Sequence, residues 1–535
     1  MRVIVTDKMA EDGIVYLREK GFDVDTKFGV SNDELLDIIE NYDALIVRSA
    51  TKVTAEVIAR GKNLKVVGRA GNGTDNIDIQ ECTRMGIAVV NTPFGNTKAA
   101  AELTIGMIFS LFRNIPQAYM AGKNSDFRRN NFVGAELNGK TAGVIGMGRI
   151  GSIVASSLKS LGMKVIAYDP FITDEIVAKY GIEKCDTLED LLTQSDVITV
   201  HIPKTADSNG LIGEKEFKLC KRGVRIVNVA RGGIINEKAL YNAIKEGIVQ
   251  GAAIDVLEKE PNFNKKPDEQ DYTNPLLELD NVIITPHLGA STEEASYNVS
   301  IEVAKLVEAV LNGEIVTAVN MPPMKITDME NIKPYAQLAE MLGKIFYQTE
   351  KETVEKIEII YSGDLAEKET NVLTLSVLKG FLDTTSTDKI NYVNAQLIAK
   401  TKGIQVVESK NSTLDKYTNL ITVNYTTKLK TLSVSGTVFA KEEIRIVDFY
   451  GYLLDFEPSP HVIIIQNTDQ PGIIGRIGTL LGARNINIGA MQWSRNRKRD
   501  NKAVAFVSVD SIVGDDVLES LRKIKGVLKV SKVNF

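Results

Sequence analysis

Short apolar runs rich in β-branched residues alternate with segments of helical periodicity from residue 1 to about residue 320. Continuous apolar strands of this kind are typical of a parallel sheet that helices cover on both faces. The runs form two series, so we expect two doubly wound parallel-sheet α/β domains. The first series is RVIVTD, ALIVRSA, LKVVGRA and IAVVNTP, and the second is TAGVIGMG, MKVIAYD, VITVHIP, RIVNVAR, GAAIDVL and VIITPHLG.

Two helical segments predict how these domains are connected. Residues 97–121 read as one long buried helix that links the two series, and residues 292–313 read as a helix that returns to the first. We therefore expect a discontinuous substrate-binding domain. Its predicted boundaries are 1–98 and 290–320, and those of the nucleotide-binding domain are 99–289.

The last two hundred residues follow a different pattern. Paired prolines in NMPPM, residues 320–324, disfavour regular structure and predict a linker. Residues 321–455 predict a mixed α/β intervening domain. In residues 456–535 the order of strand-like and helical runs is βαββαβ, which predicts a ferredoxin-like domain.

Composition narrows the class of protein. A chain of 535 residues with a net charge of −5 exceeds one core and gives no electrostatic reason to bind nucleic acid or an anionic membrane. No apolar stretch reaches the length of a membrane helix. Three scattered cysteines without a CxxC pair argue against a disulfide framework or a structural zinc. We expect a cytoplasmic protein with no metal.

A glycine fingerprint opens the second series. Gly146, Gly148 and Gly151 have the spacing GxGxxG between a strand and a helix, where glycines permit a tight turn, close approach of a pyrophosphate and close packing of the helix. The helix N-terminus favours the negative phosphates. Asp169 ends the next strand, where an acid accepts hydrogen bonds from ribose hydroxyls and disfavours a 2′-phosphate. The fingerprint predicts NAD as the cofactor.

Three polar residues follow later strands of the same series. Arg231 follows RIVNVA, Glu260 lies beyond GAAIDVL, and His287, one of three histidines, follows VIITP. Because the carboxyl ends of parallel strands meet at one edge, we expect the three side chains to converge beside the cofactor. Histidine suits proton transfer because its ordinary pKa lies near working pH.

These motifs carry a family resemblance. GMGRIG with Asp169, NVARGG, DVLEKEP and TPHLGAST resemble the D-2-hydroxyacid dehydrogenase family. VRSATKVT, GRAGNGTDNID and AELNGKT narrow the resemblance to its 3-phosphoglycerate dehydrogenases, and the C-terminal segment resembles an ACT domain, as in the long form with an intervening domain. The chain departs from relatives at Phe94 and Phe127, where asparagine and tryptophan are frequent.

The resemblance implies roles for individual residues. His287 would be the catalytic acid/base, Glu260 its partner, and Arg231 the group that binds the substrate carboxylate. Asp255 would hold the nicotinamide carboxamide. Further cofactor contacts are implied for Asn72, Arg149, Ile150, Ile202, Pro203, Val229, Ala230, Gly289 and Ala290. Substrate contacts are implied for Arg48, Ser49, Arg69, Gly73 and Arg129, the last reaching the neighbouring subunit's site.

The resemblance also implies a substrate, an effector and an oligomer. The substrate would be 3-phosphoglycerate, oxidised with NAD in the first step of L-serine biosynthesis. L-Serine would be an inhibitor bound through Asn467, Asp469 and Asn487, and the enzyme would be a homodimer or homotetramer. Two alternatives stay open: a glyoxylate or hydroxypyruvate reductase of the same family, and a nucleotide-sensing binding protein on this fold.

Overall fold

The computed structural model describes residues 1–261, 265–323, 329–385, 389–414, 416–440, 442–495 and 501–535. Across these ranges the strands form four sheets. The first two are parallel throughout, the third is mixed and the fourth is antiparallel. Short 3₁₀ helices at Ile39–Asn41, Arg129–Phe132, Pro267–Glu269, Pro275–Glu278 and Asp364–Glu367 occur in the connections.

The first sheet has the strand order β2-β1-β3-β4-β5. Its strands are β1 (Arg2–Val5), β2 (Asp23–Thr26), β3 (Ala44–Val47), β4 (Val66–Arg69) and β5 (Ala88–Asn91). All four residues of β3 are buried because helices cover both faces of the sheet. Those helices are α1 (Glu11–Glu19), α2 (Asn32–Ile38), α3 (Ala55–Arg60), α4 (Ile79–Met85) and α12 (Glu293–Leu311), which packs on α1, β4 and β5.

The second sheet has the order β12-β11-β10-β9-β6-β7-β8. Its strands are β6 (Thr141–Ile145), β7 (Lys164–Tyr168), β8 (Glu183–Lys184), β9 (Val197–Val200), β10 (Val224–Asn228), β11 (Val249–Ile254) and β12 (Val282–Ile284). The order reverses beside β6, which is where open parallel sheets bind nucleotides. Its helices are α5 (Thr97–Arg113), α6 (Ile115–Lys123), α7 (Arg149–Ser160), α8 (Asp174–Tyr180), α9 (Leu188–Gln194), α10 (Glu214–Leu219) and α11 (Glu237–Lys245).

The single long helix predicted over residues 97–121 is wrong. The structure ends α5 at Arg113 and starts α6 at Ile115, with Asn114 between them in the left-handed region at φ +51°. Pro116 occupies the first turn of α6, where its missing N–H costs nothing, but it would break a continuous helix. Asparagine is one of the few residues that adopts the left-handed conformation readily.

The third sheet has the order β14-β13-β15-β16-β17-β18, with β13 and β14 parallel and the other neighbours antiparallel. Its strands are β13 (Val354–Gly363), β14 (Gln405–Asn411), β15 (Asn419–Thr427), β16 (Thr431–Phe439), β17 (Glu443–Phe449) and β18 (Tyr452–Phe456). Buried residues alternate along β15, so one face is core. The helices of this region are α13 (Met329–Thr349), α14 (Asn371–Asp383) and α15 (Ala395–Thr401).

The fourth sheet has the order β20-β21-β19-β22. Its elements follow the chain as β19 (His461–Thr468), α16 (Ile473–Ala483), β20 (Ile488–Arg495), β21 (Lys502–Val509), α17 (Asp515–Arg522) and β22 (Val527–Asn534). The predicted βαββαβ order is confirmed. Ile463, Ile465 and Val507 face the two helices, whereas Ile464 and Phe506 belong to the core of the third sheet. Both faces of the fourth sheet are therefore covered.

The predicted fold class is confirmed by these sheets, but two edge strands were not predicted. β2 is short and half polar, and β8 has two residues, so neither gives a strong apolar signal. The predicted linker is described as far as residue 323, and Met324 lies outside the described residues. Asn320 ties the linker's start to the first sheet by accepting a hydrogen bond from the Val89 amide (2.9 Å). None of the helices described is long and apolar enough to cross a membrane.

Candidate active site

A cleft lies where the carboxyl ends of the two parallel sheets face each other. Its larger cavity, about 940 Å³, is lined by seven of the residues predicted for catalysis and substrate binding: Arg48, Ser49, Arg69, Gly73, Arg231, Glu260 and His287. An adjoining cavity of about 600 Å³ is lined by residues of the glycine fingerprint. The two cavities are continuous because eight residues line both of them. These residues are Asn72, Gly73, Asp75, Asn96, Lys204, Arg231, His287 and Ala290.

His287 and Glu260 form a hydrogen-bonded pair on the wall of the larger cavity. The Nδ1 of His287 lies 2.8 Å from Oε1 of Glu260, and each side chain is about one-third exposed. A carboxylate at Nδ1 favours the tautomer that carries a proton there, and it stabilises the imidazolium that forms when Nε2 takes a second proton. The pair has the geometry of an oriented acid/base.

Asp255 fixes the loop that carries His287. Its buried carboxylate accepts hydrogen bonds from the amides of Leu288 (2.7 Å) and Gly289 (3.0 Å) and from the Thr285 hydroxyl (2.6 Å). The His287 amide donates to the Asp255 carbonyl (3.0 Å), and His287 adopts φ +56°, which is uncommon for a residue with a side chain. The contact predicted between Asp255 and a nicotinamide stays a prediction.

Arg231 spans the cleft between the two sheets. Its Nη1 donates to the carbonyl of Ala230 (2.7 Å), and its Nε lies 3.4 Å from a carboxylate oxygen of Asp75 in the loop after β4. A Cβ on Gly73 would overlap the guanidinium of Arg231. Glycine at position 73 therefore allows Arg231 to approach the loop that follows the first sheet.

Arg48, Arg69 and Arg231 concentrate positive charge in the larger cavity. Burial and, after it, the nearby charges of Arg48 and Arg231 lower the pKa of Arg69 to about 10, while Asp7 and Asp75 oppose the shift. Within the part of the chain that is described, the Nε of Arg69 is buried without a hydrogen-bond partner. Such a cationic cluster suits a ligand with more than one negative charge.

The fingerprint glycines leave room for a dinucleotide. Gly146 adopts φ +92°, and a Cβ on Gly151 would overlap the Gly146 carbonyl, so a tight turn and a closely packed helix both depend on glycine. A Cβ on Gly148 would meet nothing within 4 Å, which leaves the start of α7 open to a phosphate. These residues fit a pyrophosphate.

The remaining predicted cofactor residues surround the same cavity. Asp169 stands just after β7, where its carboxylate accepts hydrogen bonds from the amides of Met147 and Phe171 (both 2.8 Å) and so is held beside the fingerprint turn. This position fits a carboxylate that receives ribose hydroxyls. The cavity is lined by Asn72, Gly148, Arg149, Ile150, Ile202, Pro203, Val229, Ala230, Gly289 and Ala290.

The Arg149 side chain makes contacts that the fingerprint did not predict. Its guanidinium lies 4.0 Å from the ring centre of Phe94, and Nη1 donates to the carbonyl of Pro93 (3.1 Å). Phe94 therefore supplies a cation–π partner for a residue of the cofactor cavity.

Four predicted residues lie away from this cleft. Arg129 is exposed in a 3₁₀ helix after α6. Asn467, Asp469 and Asn487 belong to the fourth sheet and its loops. Asn467 is buried, and its Oδ1 has no hydrogen-bond partner among the residues that the structure describes. Asp469 pairs with Arg495 (2.7 Å), and Asn487 donates to Asp510 (2.6 Å). Their predicted roles stay predictions.

Several polar residues of the larger cavity were missed in the sequence. Among them are Asp7, Asn76 and Lys204. Asp7 and Lys204 stand just beyond strands β1 and β9, and this position was a usable signal because strand ends face the cleft. Asn76 gives no such signal, since it lies well inside a loop.

A metal centre is not indicated. In the described ranges, no group of three or more His, Cys, Asp or Glu side chains could hold a metal ion. The three cysteines are buried free thiols, and burial raises the pKa of Cys82 and of Cys220 to about 12.

Family models match three parts of the chain. The NAD binding domain of the D-isomer specific 2-hydroxyacid dehydrogenases matches residues 105–289. The D-3-phosphoglycerate dehydrogenase intervening domain matches residues 331–450, and the ACT domain matches residues 461–526. The chain thus contains an NAD-binding domain, an intervening domain and an ACT domain.

Relatives match over the full length. A D-3-phosphoglycerate dehydrogenase from Archaeoglobus fulgidus is 43% identical over 537 residues, covering 100% of both chains. One from Bacillus subtilis is 41% identical, covering 100% of this chain and 99% of the relative. The structure of a D-lactate dehydrogenase from Aquifex aeolicus, complexed with NAD and lactic acid, is 31% identical with a TM-score of 0.54, covering 58% of this chain and 96% of that one. The chain therefore belongs to the D-3-phosphoglycerate dehydrogenases, a branch of the NAD-dependent D-2-hydroxyacid dehydrogenase family.

Proposed function

We propose that this chain oxidises D-3-phosphoglycerate to 3-phosphohydroxypyruvate with NAD, the first step of L-serine biosynthesis. One observation carries the proposal: the His287–Glu260 pair, bonded at 2.8 Å, lies between a cavity rich in arginine and a cavity built for a dinucleotide. The names of the full-length relatives support the same activity.

Oxidation of a 2-hydroxy acid removes a proton from oxygen and a hydride from carbon. NAD, when bound, accepts the hydride. His287 takes the hydroxyl proton at Nε2, and Glu260 stabilises the resulting imidazolium through Nδ1. Asp255 keeps the ring in place by holding the backbone on both sides of His287.

The arginines divide the substrate's two anionic groups between them. Arg231 offers a planar fork to the carboxylate beside the reacting carbon, because it lies next to His287 in both cavities. Arg48 and Arg69 meet the phosphate at the far end of the larger cavity. Ser49 adds a hydrogen bond to that end, and the backbone at Gly73 lies beside Arg231 at the carboxylate.

A substrate panel tests the proposal. NADH consumption is measured with 3-phosphohydroxypyruvate, hydroxypyruvate and glyoxylate, and kcat/KM should be highest for the phosphorylated compound. Equal or higher kcat/KM for glyoxylate would favour the reductase alternative. Tight NADH binding without turnover of any of the three would favour a nucleotide-sensing protein.

The C-terminal domain provides a route to feedback control by L-serine. Asn467, Asp469 and Asn487 carry amide and carboxylate groups that suit a zwitterionic amino acid. The buried Oδ1 of Asn467, which has no partner in the described part of the chain, supports a ligand there. L-Serine at millimolar concentration should inhibit the parent, and Asn467→Ala should relieve the inhibition. If L-serine leaves the activity of the parent unchanged, the proposed feedback control is refuted and the proposed reaction is not affected.

An exposed apolar surface on α6 and the segment after it supports a homo-oligomer. Its exposed side chains are Ile115, Tyr119, Met120, Phe127 and Val133. Burying such a patch against a second copy is favourable, and Arg129 lies within the same segment. A homodimer through this surface would bring Arg129 to the partner's cleft. Light scattering of Tyr119→Glu should then report monomers.

The buried free thiols agree with a cytoplasmic enzyme.

A further inference from the structure

Asp7 is a buried carboxylate that holds the loop at residues 48–51. It is 6% exposed. One oxygen accepts hydrogen bonds from the amides of Arg48 (2.6 Å), Ala50 (3.2 Å) and Thr51 (3.1 Å), and the other accepts from the Thr51 hydroxyl (2.6 Å). A buried charge is costly unless it is hydrogen-bonded, so the carboxylate and the loop depend on each other.

Asn76 holds the same loop through its carbonyls. Its Nδ2 donates to the carbonyl oxygens of Arg48 and Thr51, both at 2.7 Å. The loop is thus held at its amides by a residue after β1 and at its carbonyls by a residue after β4. We call Asp7 and Asn76 the loop clamp.

The loop presents the cationic end of the larger cavity. Arg48 and Ser49 line that cavity together with Arg69. The loop lies outside the sheet, and Ser49 and Ala50 are exposed, so few packing contacts restrain it. Six hydrogen bonds of the clamp hold its conformation, together with the contact between the hydroxyls of Thr51 and Thr6 (2.9 Å).

The clamp also has an electrostatic part. Asp7 stands close enough to Arg69 to oppose the lowering of its pKa. A negative charge behind Arg48 and Arg69 lessens the repulsion between the two guanidinium groups.

We propose that Asp7 and Asn76 are positioning residues that fix the 48–51 loop for recognition of the phosphate group, and so set the preference for phosphorylated over unphosphorylated hydroxy acids. This inference rests on the proposed function. Neither residue needs to touch the substrate, since each acts through the loop.

Two near-isosteric variants test the clamp. Asp7→Asn removes the charge and an acceptor, and Asn76→Asp removes the donor and places a carboxylate against two carbonyls. With NADH, KM for 3-phosphohydroxypyruvate should rise about tenfold or more, as expected when charge-assisted hydrogen bonds are lost, while kcat changes far less. Constants for hydroxypyruvate should stay near parental values. Asp37→Asn, an exposed aspartate of α2, is the matched control.

A double variant separates positioning from general damage. Because Asp7 acts through Arg48, adding Asp7→Asn to Arg48→Ala should raise KM little beyond the Arg48→Ala value. Thr51→Val removes a single hydroxyl from the clamp and gives a milder version of the same change if Asp7→Asn does not fold.

The outcomes distinguish the clamp from the proposed function. Equal losses with phosphorylated and unphosphorylated substrates, or additive losses in the double variant, would overturn the clamp. Unchanged KM in both Asp7→Asn and Asn76→Asp would do so as well. A parent that shows no preference for the phosphorylated substrate would instead overturn the proposed function, and with it the role of the loop.

Discussion

Proton transfer in this protein depends on one imidazole whose backbone and ring are both held. Asp255 holds the loop on either side of His287, and Glu260 holds the ring nitrogen. The backbone of His287 is kept in the left-handed region by these contacts rather than by its own preference. The orientation of the ring is therefore established before any substrate enters.

Removing the ring should separate chemistry from cofactor binding. His287→Ala is expected to lower kcat by a factor of about 10² to 10⁴, the usual contribution of a general acid or base, while the Kd for NADH stays close to parental. Stopped-flow turnover and fluorescence titration of NADH measure the two quantities.

Glu260→Gln should alter the pH–rate profile, and a profile identical to the parent's would contradict the pairing.

His201 makes stability depend on pH. Burial lowers the pKa of His201 to about 3, and its Nε2 lies 2.9 Å from the Thr199 hydroxyl. An unfolded chain takes up this proton near its ordinary pKa of about 6.5, but the folded protein does not. Below pH 6.5 the unfolded state therefore binds more protons, and the free energy of unfolding falls by at most about 1.4 kcal/mol per pH unit.

Urea unfolding at pH 7 and pH 5 measures this effect. His201→Asn should lose less stability between the two pH values than the parent, because asparagine takes up no proton. If the parent and His201→Asn lose the same free energy of unfolding between pH 7 and pH 5, groups other than His201 cause the loss.

At the scale of elements, two helices of the intervening domain approach each other through glycine. A Cβ on Gly343 of α13 would overlap the Val377 carbonyl, and a Cβ on Gly380 of α14 would overlap the Glu340 carbonyl. Backbone thus packs against backbone where the helices cross. In the sequence alone, Gly343 and Gly380 would only be expected to weaken their helices. The structure shows that each allows the other helix to approach closely.

Gly380→Ala should therefore destabilise the protein although alanine favours helices. Overpacking of this kind costs about 1–3 kcal/mol. Gly475→Ala in α16 is the matched control, because a Cβ there meets nothing within 4 Å, and it should stabilise by about 0.5–1 kcal/mol. Thermal unfolding compares the two variants, and equal effects would contradict the close crossing.

The sequence predicted elements well where apolar runs were long and poorly where shape depended on distant partners. Arg231, Glu260 and His287 follow strands of one parallel sheet, so their convergence at its carboxyl edge was predictable. Asn114 was misread because the apolar pattern continues across the break. The clamp was not predictable, because the amides that Asp7 binds lie some forty residues away and only the fold brings them near.

At the scale of the whole molecule, the third and fourth sheets share one core. Phe506 of β21 packs against Phe449 (5.1 Å between ring centres) and Phe456 (4.9 Å) of the third sheet. Glu350, at the end of α13, is 8% exposed and binds Lys529 of β22 (2.7 Å) as well as Lys430 (3.2 Å). Apolar packing and the Glu350–Lys529 ion pair both join the intervening and ACT domains.

Deleting residues 457–535 should therefore harm the intervening domain and spare the catalytic cleft. The deletion exposes Phe449 and Phe456 and leaves Glu350 without Lys529, so this domain should melt at a lower temperature and aggregate. NADH affinity should stay parental. Scanning calorimetry with light scattering measures the change, and an unchanged melting profile for residues 329–456 would contradict a shared core.

The covering of both faces of the fourth sheet has a mechanical consequence. An amino acid that tilts this sheet must also carry α13, because Lys529 and Asn534 of β22 are bonded to residues near the end of that helix. The intervening and ACT domains would then move together as one rigid body. One of its contacts with the catalytic half is made by Asn391, which donates to the Gly86 carbonyl just before β5. A displacement of the ACT domain would therefore act on the first sheet, which carries Arg48 and Arg69, from the side away from the cleft.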